Sequence, residues 1–283
     1  MANRAISRKN IDLMSALKAK HIAIPSEHGA WVFLLSPLLM GLFLGGISKG
    51  SLPLVLTTLA AFLIRQPLTI LVKIHAGRRS TKERLPALIW FTIYAVILLI
   101  NLLILVYQGF MFIFYLAVPA VPVFMWHLWL VSKRAERRQK LIEIAAGGVL
   151  ALAAPAAYWV GLQAYHSTGW LLWVLSWGQV TGTILYAYLR LNQRQITEKP
   201  MISQLLRLSQ ETLLFNILLF LMVVILSVMG LTPALLPLAF LIQPFEVMWG
   251  TFNPAIKLAP KWIGIRQLWI STLFTVVFIF LWL

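Results

Sequence analysis

The stretch PALIWFTIYAVILLINLLILVY, residues 86–107, decides the fold class of this chain. It contains no charged residue, and an apolar helix of about 20 residues is long enough to cross the hydrocarbon core of a bilayer. Similar blocks recur along the 283 residues, so that 60% of all residues are hydrophobic and only 11% are charged. A soluble domain carries about a quarter charged residues. The sequence therefore predicts an all-α, polytopic membrane protein.

The apolar blocks define the predicted domain organisation. Residues 28–283 are expected to form a single nine-helix transmembrane domain. Residues 1–27 precede it as a basic segment, expected either to lie as an amphipathic helix on the cytoplasmic face or to be a solvated tail. The predicted spans, numbered in chain order, are 29–46, 53–73, 86–107, 111–132, 141–161, 168–189, 211–229, 234–250 and 264–283.

The 24 lysines and arginines predict the orientation. All but Lys49 and Arg65 lie before span 1 or around the loops that follow the even-numbered spans. Because cytoplasmic loops are enriched in Lys and Arg, the N-terminus is predicted in the cytoplasm and the C-terminus on the opposite side. The expected location is the cell inner (plasma) membrane or the thylakoid membrane. This topology accounts for the net charge of +16, so no nucleic-acid partner is predicted.

Span 2 carries polar side chains that need a partner within the membrane. Arg65, Thr69 and Lys73 are spaced i, i+4, i+8 and share one helix face, with Gln66 beside Arg65. Pro67 has no N–H to donate, which predicts a broken helix turn. Because ionisable residues within spans mark functional sites, these four polar residues are predicted to bind a ligand in a polar cavity. The alternative is a structural arginine that pairs with a carboxylate or caps the broken backbone.

Span 6 carries a longer polar stripe. Gln179, Thr183, Tyr186, Arg190 and Arg194 follow one another at steps of 4, 3, 4 and 4 residues, which places them on one helix face. Guanidinium groups bind phosphate or carboxylate in a bidentate fork. The stripe is therefore predicted to belong to the same ligand-binding cavity. The alternative for the two arginines is that they are ordinary basic residues at the cytoplasmic end of a span.

Acidic residues can pair with these cations. Glu246 lies deep in span 8 beside Gln243, and both are predicted to bind the ligand. Glu27 and His28 precede span 1 and form the predicted catalytic pair. There Glu27 would hold an arginine in place, and His28 would move a proton because histidine is the residue type that changes charge near neutral pH.

Metal and cofactor sites are not predicted. The chain has no cysteine, which excludes disulfides, Cys-ligated zinc and iron–sulfur clusters. His28, His75 and His127 lie near the cytoplasmic side and permit a haem or metal interpretation, but no two of them have the spacing of a ligand pair.

Four motifs resemble the YwiC-like family of integral membrane proteins. The resemblance extends over essentially the whole chain and implies a membrane protein, without implying an activity. The motifs are PSEHGAW (residues 25–31), RQPL (65–68), AYLRLNQR (187–194) and APKWIGIRQLW (259–269).

The layout is also similar to that of the UbiA prenyltransferase superfamily. The parallels are the number of spans, PLLMGLFLGG in span 1 and the glycine-containing EIAAGGVLALAAPAAYWVG of span 5. This resemblance implies a helical bundle with a cytoplasm-facing cavity. In that superfamily two aspartate-rich motifs hold Mg²⁺, but the only aspartate here is Asp12. Mg²⁺-dependent prenyl transfer is therefore not predicted, because that hard cation requires carboxylate oxygens.

The predicted function is the binding, with or without metal-free modification, of a ligand with an anionic head and a lipid tail, such as an isoprenoid or quinone precursor. Whether the protein is an enzyme stays open. The expected partners are membrane lipids, this ligand and a second membrane protein. The alternatives are a transporter or flippase, or a non-catalytic, haem-binding partner of a respiratory or photosynthetic complex.

Overall fold

The computed structural model describes residues 20–25, 28–133, 139–196 and 200–283, and within these ranges it contains helices and no strand. The helices divide the chain into two compact units, one built from Met1–Glu27 and Lys49–Gln139 and the other from His28–Ser48 and Lys140–Leu283. The predicted boundary between residues 27 and 28 stays a prediction, as does the basic helix over 1–27, of which only residues 20–25 are described.

The first unit contains two long helices packed against each other, α3 and α4, and a short N-terminal helix that docks on both. The Tyr94 hydroxyl donates to the Ala23 carbonyl (2.9 Å), and the Gln66 amide donates to the His21 carbonyl (3.1 Å). The helices of this unit are α1 (Lys20–Ala23), α3 (Ser51–His75), a 3₁₀ helix (Thr81–Glu83), α4 (Arg84–Tyr107), a 3₁₀ helix (Met111–Leu116) and α5 (Ala117–Ser132).

The second unit surrounds a long central helix, α8, and has an aromatic and aliphatic core. Phe240, Phe274 and Phe278 are buried together there with Met40 and Leu172. The helices of this unit are α2 (His28–Gly45), α6 (Lys140–Ala151), α7 (Ala153–Leu162), α8 (Thr168–Gln193), α9 (Ile202–Val228), α10 (Pro237–Phe240), α11 (Ile242–Phe252) and α12 (Pro260–Trp282).

Glycine residues allow the closest helix approaches in the second unit. A Cβ atom on Gly41 of α2 would lie 2.2 Å from the Ala154 carbonyl oxygen of α7. The GxxxG spacing of Gly178 and Gly182 indicates close packing from sequence, and both glycines face α9, where a Cβ would meet Leu219 and Asn216. Small residues thus bring α2 to α7 and α8 to α9.

Two predicted spans are interrupted at prolines. Span 5 is divided at Leu152 and span 8 at Leu241, so that α6 ends four residues before Pro155 and α10 ends four residues before Pro244. A proline ring clashes with the carbonyl group four residues earlier, which accounts for both ends. The predicted break at Pro67 is wrong, since α3 continues through this residue while packed against α4.

The described residues contain six helices that are long and apolar enough to cross a membrane. They correspond to predicted spans 2, 3, 4, 5, 7 and 9, so a multi-pass membrane protein is confirmed. Span 1 falls on a shorter apolar helix, span 6 on a long helix with a polar face, and span 8 on the short pair α10 and α11. The count of nine spans therefore stays a prediction.

Candidate functional site

The polar stripe of span 6 becomes a buried face of α8. Gln179, Thr183, Tyr186 and Arg190 are each at most 5% exposed, and Arg194 is half-buried. A helical period alone places these side chains on one face. The second unit covers that face with α2, α11 and α12, so that the stripe lies inside the protein.

Glu246 of α11 is the centre of an ionic cluster with α8 and α12. Its carboxylate accepts hydrogen bonds from Arg266 Nε (2.5 Å) and Arg266 Nη2 (2.8 Å), and from the Tyr186 hydroxyl (2.8 Å). The Glu246 side chain is only 4% exposed, whereas that of Arg266 is 41% exposed. Burial of a carboxylate is costly unless it is paired, and here all three bonds satisfy the charge.

Arg190 completes this cluster by holding the end of α11. Its Nη1 donates to the Gly250 carbonyl (2.8 Å), the Asn253 carbonyl (2.6 Å) and the Gln193 side-chain oxygen (2.9 Å). The last carbonyl groups of a helix lack partners within the helix, and a cation is favoured at that negative end of the dipole. Arg190 is therefore a cap for α11.

Two other features of the cluster restrict what its arginines can bind. The Arg266 guanidinium lies 3.5 Å from the Trp249 ring centroid, and that of Arg190 lies 5.4 Å from the same centroid. Arg194 Nε donates to the Leu258 carbonyl oxygen. The three arginines thus already contact carboxylate, carbonyl or aromatic groups of the protein.

A small inner pocket lies further along the buried face of α8. It has a volume of about 20 Å³, and Ser36 of α2, Gln179 and Thr183 of α8, and Ser271 of α12 are among its lining residues. Both polar atoms of the Gln179 amide are buried and have no hydrogen-bond partner among the described residues. No charged side chain of the described residues lines this pocket.

An apolar groove lies beside the inner pocket, between α2 and α12. Its volume is about 530 Å³, and Val32 and Ser36 line both cavities, which are therefore adjacent. Leu39, Val276 and Phe280 are among the other lining residues and are exposed on the outside of the second unit. The two cavities together place a polar recess next to an exposed apolar surface.

The polar residues predicted in span 2 lie on α3 of the first unit. Arg65, Gln66, Thr69 and Lys73 are all half-buried there. The Arg65 guanidinium lies 5.6 Å from the ring centroid of Phe62, and the Gln66 amide holds α1 as described above. These four residues and the stripe on α8 thus belong to different units.

The remaining predicted residues have different outcomes. Gln243 and Glu246 are buried on α11, and the Gln243 amide has no hydrogen-bond partner among the described residues. Glu27 lies outside the described residues, as does the side chain of His28, the first residue of α2. Within the described residues no group of three or more His, Asp or Glu side chains could hold a metal ion.

Sequence reasoning missed Arg266, Ser36 and Ser271. Arg266 was counted among the basic residues that flank span 9, whose start was predicted at residue 264. Pro260 carried the missing signal, because proline is favoured at the first position of a helix and α12 begins there. That start places Arg266 in the second turn of α12, within reach of Glu246.

Comparison with known proteins shows that part of this chain is similar to a described family. Residues 24–158 match the family described as YwiC-like protein. A relative, "Uncharacterized protein YwiC" of Bacillus subtilis (strain 168), is 28% identical over 153 residues, which are 54% of this chain and 60% of the relative. This chain therefore covers less than two thirds of the relative's length. No solved structure matches the chain.

The matched family region ends before the buried polar face of α8 begins. Residues 24–158 contain the motifs PSEHGAW and RQPL and the α2 wall of both cavities, but they end before α8, α11 and α12. The resemblance is thus narrower than the whole chain over which it was predicted. The predicted resemblance to the YwiC-like family is nevertheless confirmed over residues 24–158.

Proposed function

We propose that the second unit binds a lipid-soluble amphiphile that enters from the bilayer between α2 and α12. The observation that carries this proposal is the apolar groove of about 530 Å³ directly beside a recess with a buried amide that has no hydrogen-bond partner among the described residues. Ligand pockets in proteins have volumes of roughly 300–1,000 Å³ and combine apolar walls with a few polar groups. The groove supplies the apolar wall, and Gln179 supplies a polar group that can orient the ligand.

This proposal keeps the lipid tail that the sequence suggested and moves the binding site away from the arginines. An anionic head held by Arg190 would require that guanidinium to leave the carbonyl groups at the end of α11. A hydrogen bond to a charged donor contributes about 1.5–3 kcal/mol. Losing the hydrogen bonds from Arg190 to α11 would therefore offset much of the binding free energy gained from the ligand. The groove involves no such exchange, because its described walls are apolar side chains, two threonines and Ser36.

A bulky side chain placed in the groove should displace the bound lipid. We expect Val276→Trp to reduce the amount of ligand that co-purifies with the protein at least tenfold, because an indole ring would occupy the space between α2 and α12. The measurement is mass spectrometry of lipids extracted from protein in nanodiscs, compared with the bulk lipid. Leu273→Trp is the matched control, since Leu273 is also exposed on α12 but does not line the groove. Equal lipid content in wild type and both variants would contradict the proposal.

We also propose that all nine predicted spans cross the membrane, with α10 and α11 together forming the eighth, and that the N-terminus is cytoplasmic. The unequal distribution of Lys and Arg between alternate loops supports this orientation. The absence of cysteine allows a direct test. In spheroplasts we expect a membrane-impermeant maleimide to label Ser167→Cys and to label Ser80→Cys only after permeabilisation. Both serines are exposed, so the reverse pattern would exclude this topology.

A further inference from the structure

We propose that the head of the ligand is an uncharged oxygen group, a hydroxyl or a carbonyl, held by the amide of Gln179. This inference rests on the proposed function and names the chemical class that the site takes. Three properties of the inner pocket lead to it, namely its hydrogen-bonding groups, its volume and its charge.

The first property is the unused hydrogen-bonding capacity of Gln179. This side chain is 5% exposed and lines the pocket, and neither its Nε2 nor its Oε1 has a partner among the described residues. A buried amide without partners is costly, by about 1–3 kcal/mol for each unsatisfied group. Nε2 can donate to a carbonyl or hydroxyl oxygen, and Oε1 can accept from a hydroxyl. A hydroxyl group would therefore satisfy both atoms, and a carbonyl would satisfy one.

The second property is size. A cavity needs a volume of about 10–15 Å³ to hold one water molecule, and the volume of the inner pocket is about 20 Å³. It therefore has room for a group of the size of a hydroxyl or carbonyl oxygen.

The third property is the absence of charge. The pocket walls are contributed by serine, threonine, glutamine and apolar side chains, with no cation among its described lining residues. Along α8, Tyr186 and Arg190 follow Gln179 by seven and eleven residues, which is roughly 10 and 16 Å at 1.5 Å per residue. An ionised head in the pocket would lose its hydration without an opposite charge in contact, which costs far more than burial of a hydroxyl. The pocket therefore selects a neutral head over an anion.

The opening of the pocket also determines how the ligand lies. Val32 and Ser36 line both the pocket and the groove, so a head at Gln179 and a tail in the groove are joined past these two residues. The ligand would then lie within the membrane, with its tail between α2 and α12 and its head directed towards α8.

Two ligands with the same tail test this inference. Binding of geranylgeraniol and of geranylgeranyl phosphate to the full-length protein in nanodiscs is measured by titration of tryptophan fluorescence, for which the chain has 12 tryptophans. We expect the alcohol to bind at least tenfold more tightly than the phosphate. We expect Gln179→Met, which has a similar length and no amide, to weaken binding of the alcohol about tenfold, as loss of the hydrogen bonds to the head implies. Gln267→Leu is the matched control because the Gln267 amide on α12 is also buried, has no partner in the described part of the chain and lines neither cavity.

The possible outcomes separate the two proposals. If neither compound binds, the proposed function fails. If the phosphate binds as tightly as the alcohol, or if Gln179→Met binds the alcohol like the wild type, the groove binds a lipid but the head-group inference is wrong. Unchanged binding of the alcohol by Gln179→Met would mean that Gln179 holds only water. The comparison of the two compounds uses the wild type alone, so it remains decisive even if a variant does not fold.

Discussion

Replacing Glu246 with glutamine is expected to lower the free energy of unfolding of the second unit by about 3 kcal/mol, at the lower end of the range for breaking a buried ion pair. The carboxylate accepts two hydrogen bonds from Arg266 and one from Tyr186, and glutamine leaves the Arg266 guanidinium without this carboxylate partner. The estimate is at the lower end because Arg266 is partly exposed. Unfolding by SDS in mixed micelles, followed by tryptophan fluorescence, measures the change.

The exposed pair of Lys140 and Glu211 is the matched control for this prediction. Its nitrogen and oxygen atoms are 2.7 Å apart, but the two side chains are 39% and 61% exposed. An exposed ion pair contributes only about 0–1 kcal/mol, so Glu211→Gln should have little effect. A double-mutant cycle with Arg266→Met should show that Glu246→Gln destabilises the protein less once Arg266 is gone. Equal effects of Glu246→Gln and Glu211→Gln would contradict the assignment of Glu246 as the centre of the cluster.

Replacing Arg190 with lysine is expected to cost about 3 kcal/mol although the positive charge is kept. Arg190 Nη1 reaches two carbonyl groups at the end of α11 and the Gln193 side chain. Lysine has a compact ammonium group in place of the planar guanidinium and cannot reproduce this geometry, and a lost hydrogen bond of a charged donor is worth about 1.5–3 kcal/mol. The same SDS titration measures the loss. Hydrogen exchange of amide groups in α11 should accelerate, because the end of this helix loses its cap.

Arg207→Lys is the control for the exchange of arginine for lysine at a position without a capping role. Arg207 is exposed on α9, so Arg207→Lys should change the free energy of unfolding by less than about 0.5 kcal/mol. If Arg190→Lys changed the free energy of unfolding as little as Arg207→Lys, Arg190 would not be the cap of α11. It would then be available for an anionic ligand, as the sequence alone suggested.

The polar face of α8 shows what can be predicted from spacing. Steps of three and four residues place Gln179, Thr183, Tyr186 and Arg190 on one side of a helix whatever surrounds it. The same spacing contains no information about the facing helix. Arg266, the partner of Glu246, follows it by 20 residues and was counted as a basic flanking residue.

The three prolines also show that local sequence does not determine where a helix ends. Pro67, Pro155 and Pro244 all remove a backbone donor, yet α3 continues through the first while helices end four residues before the other two. At the interruption in α6–α7, the Leu152 amide donates to Val149, and the Gly148 carbonyl accepts instead from Trp173 of α8. Whether a helix breaks at a proline therefore does not follow from the proline alone.

The order of residues alone determined the membrane class of this protein, its helical composition and the clustering of its basic residues in alternate predicted loops. These properties depend on local composition and helical period, which act along a single segment. The pairing of Glu246 with Arg266, the capping of α11 by Arg190 and the recess beside Gln179 arise only when α2, α8, α11 and α12 pack together. Each of these contacts joins side chains far apart in the chain, and their distances are set by how the helices pack rather than by any local pattern.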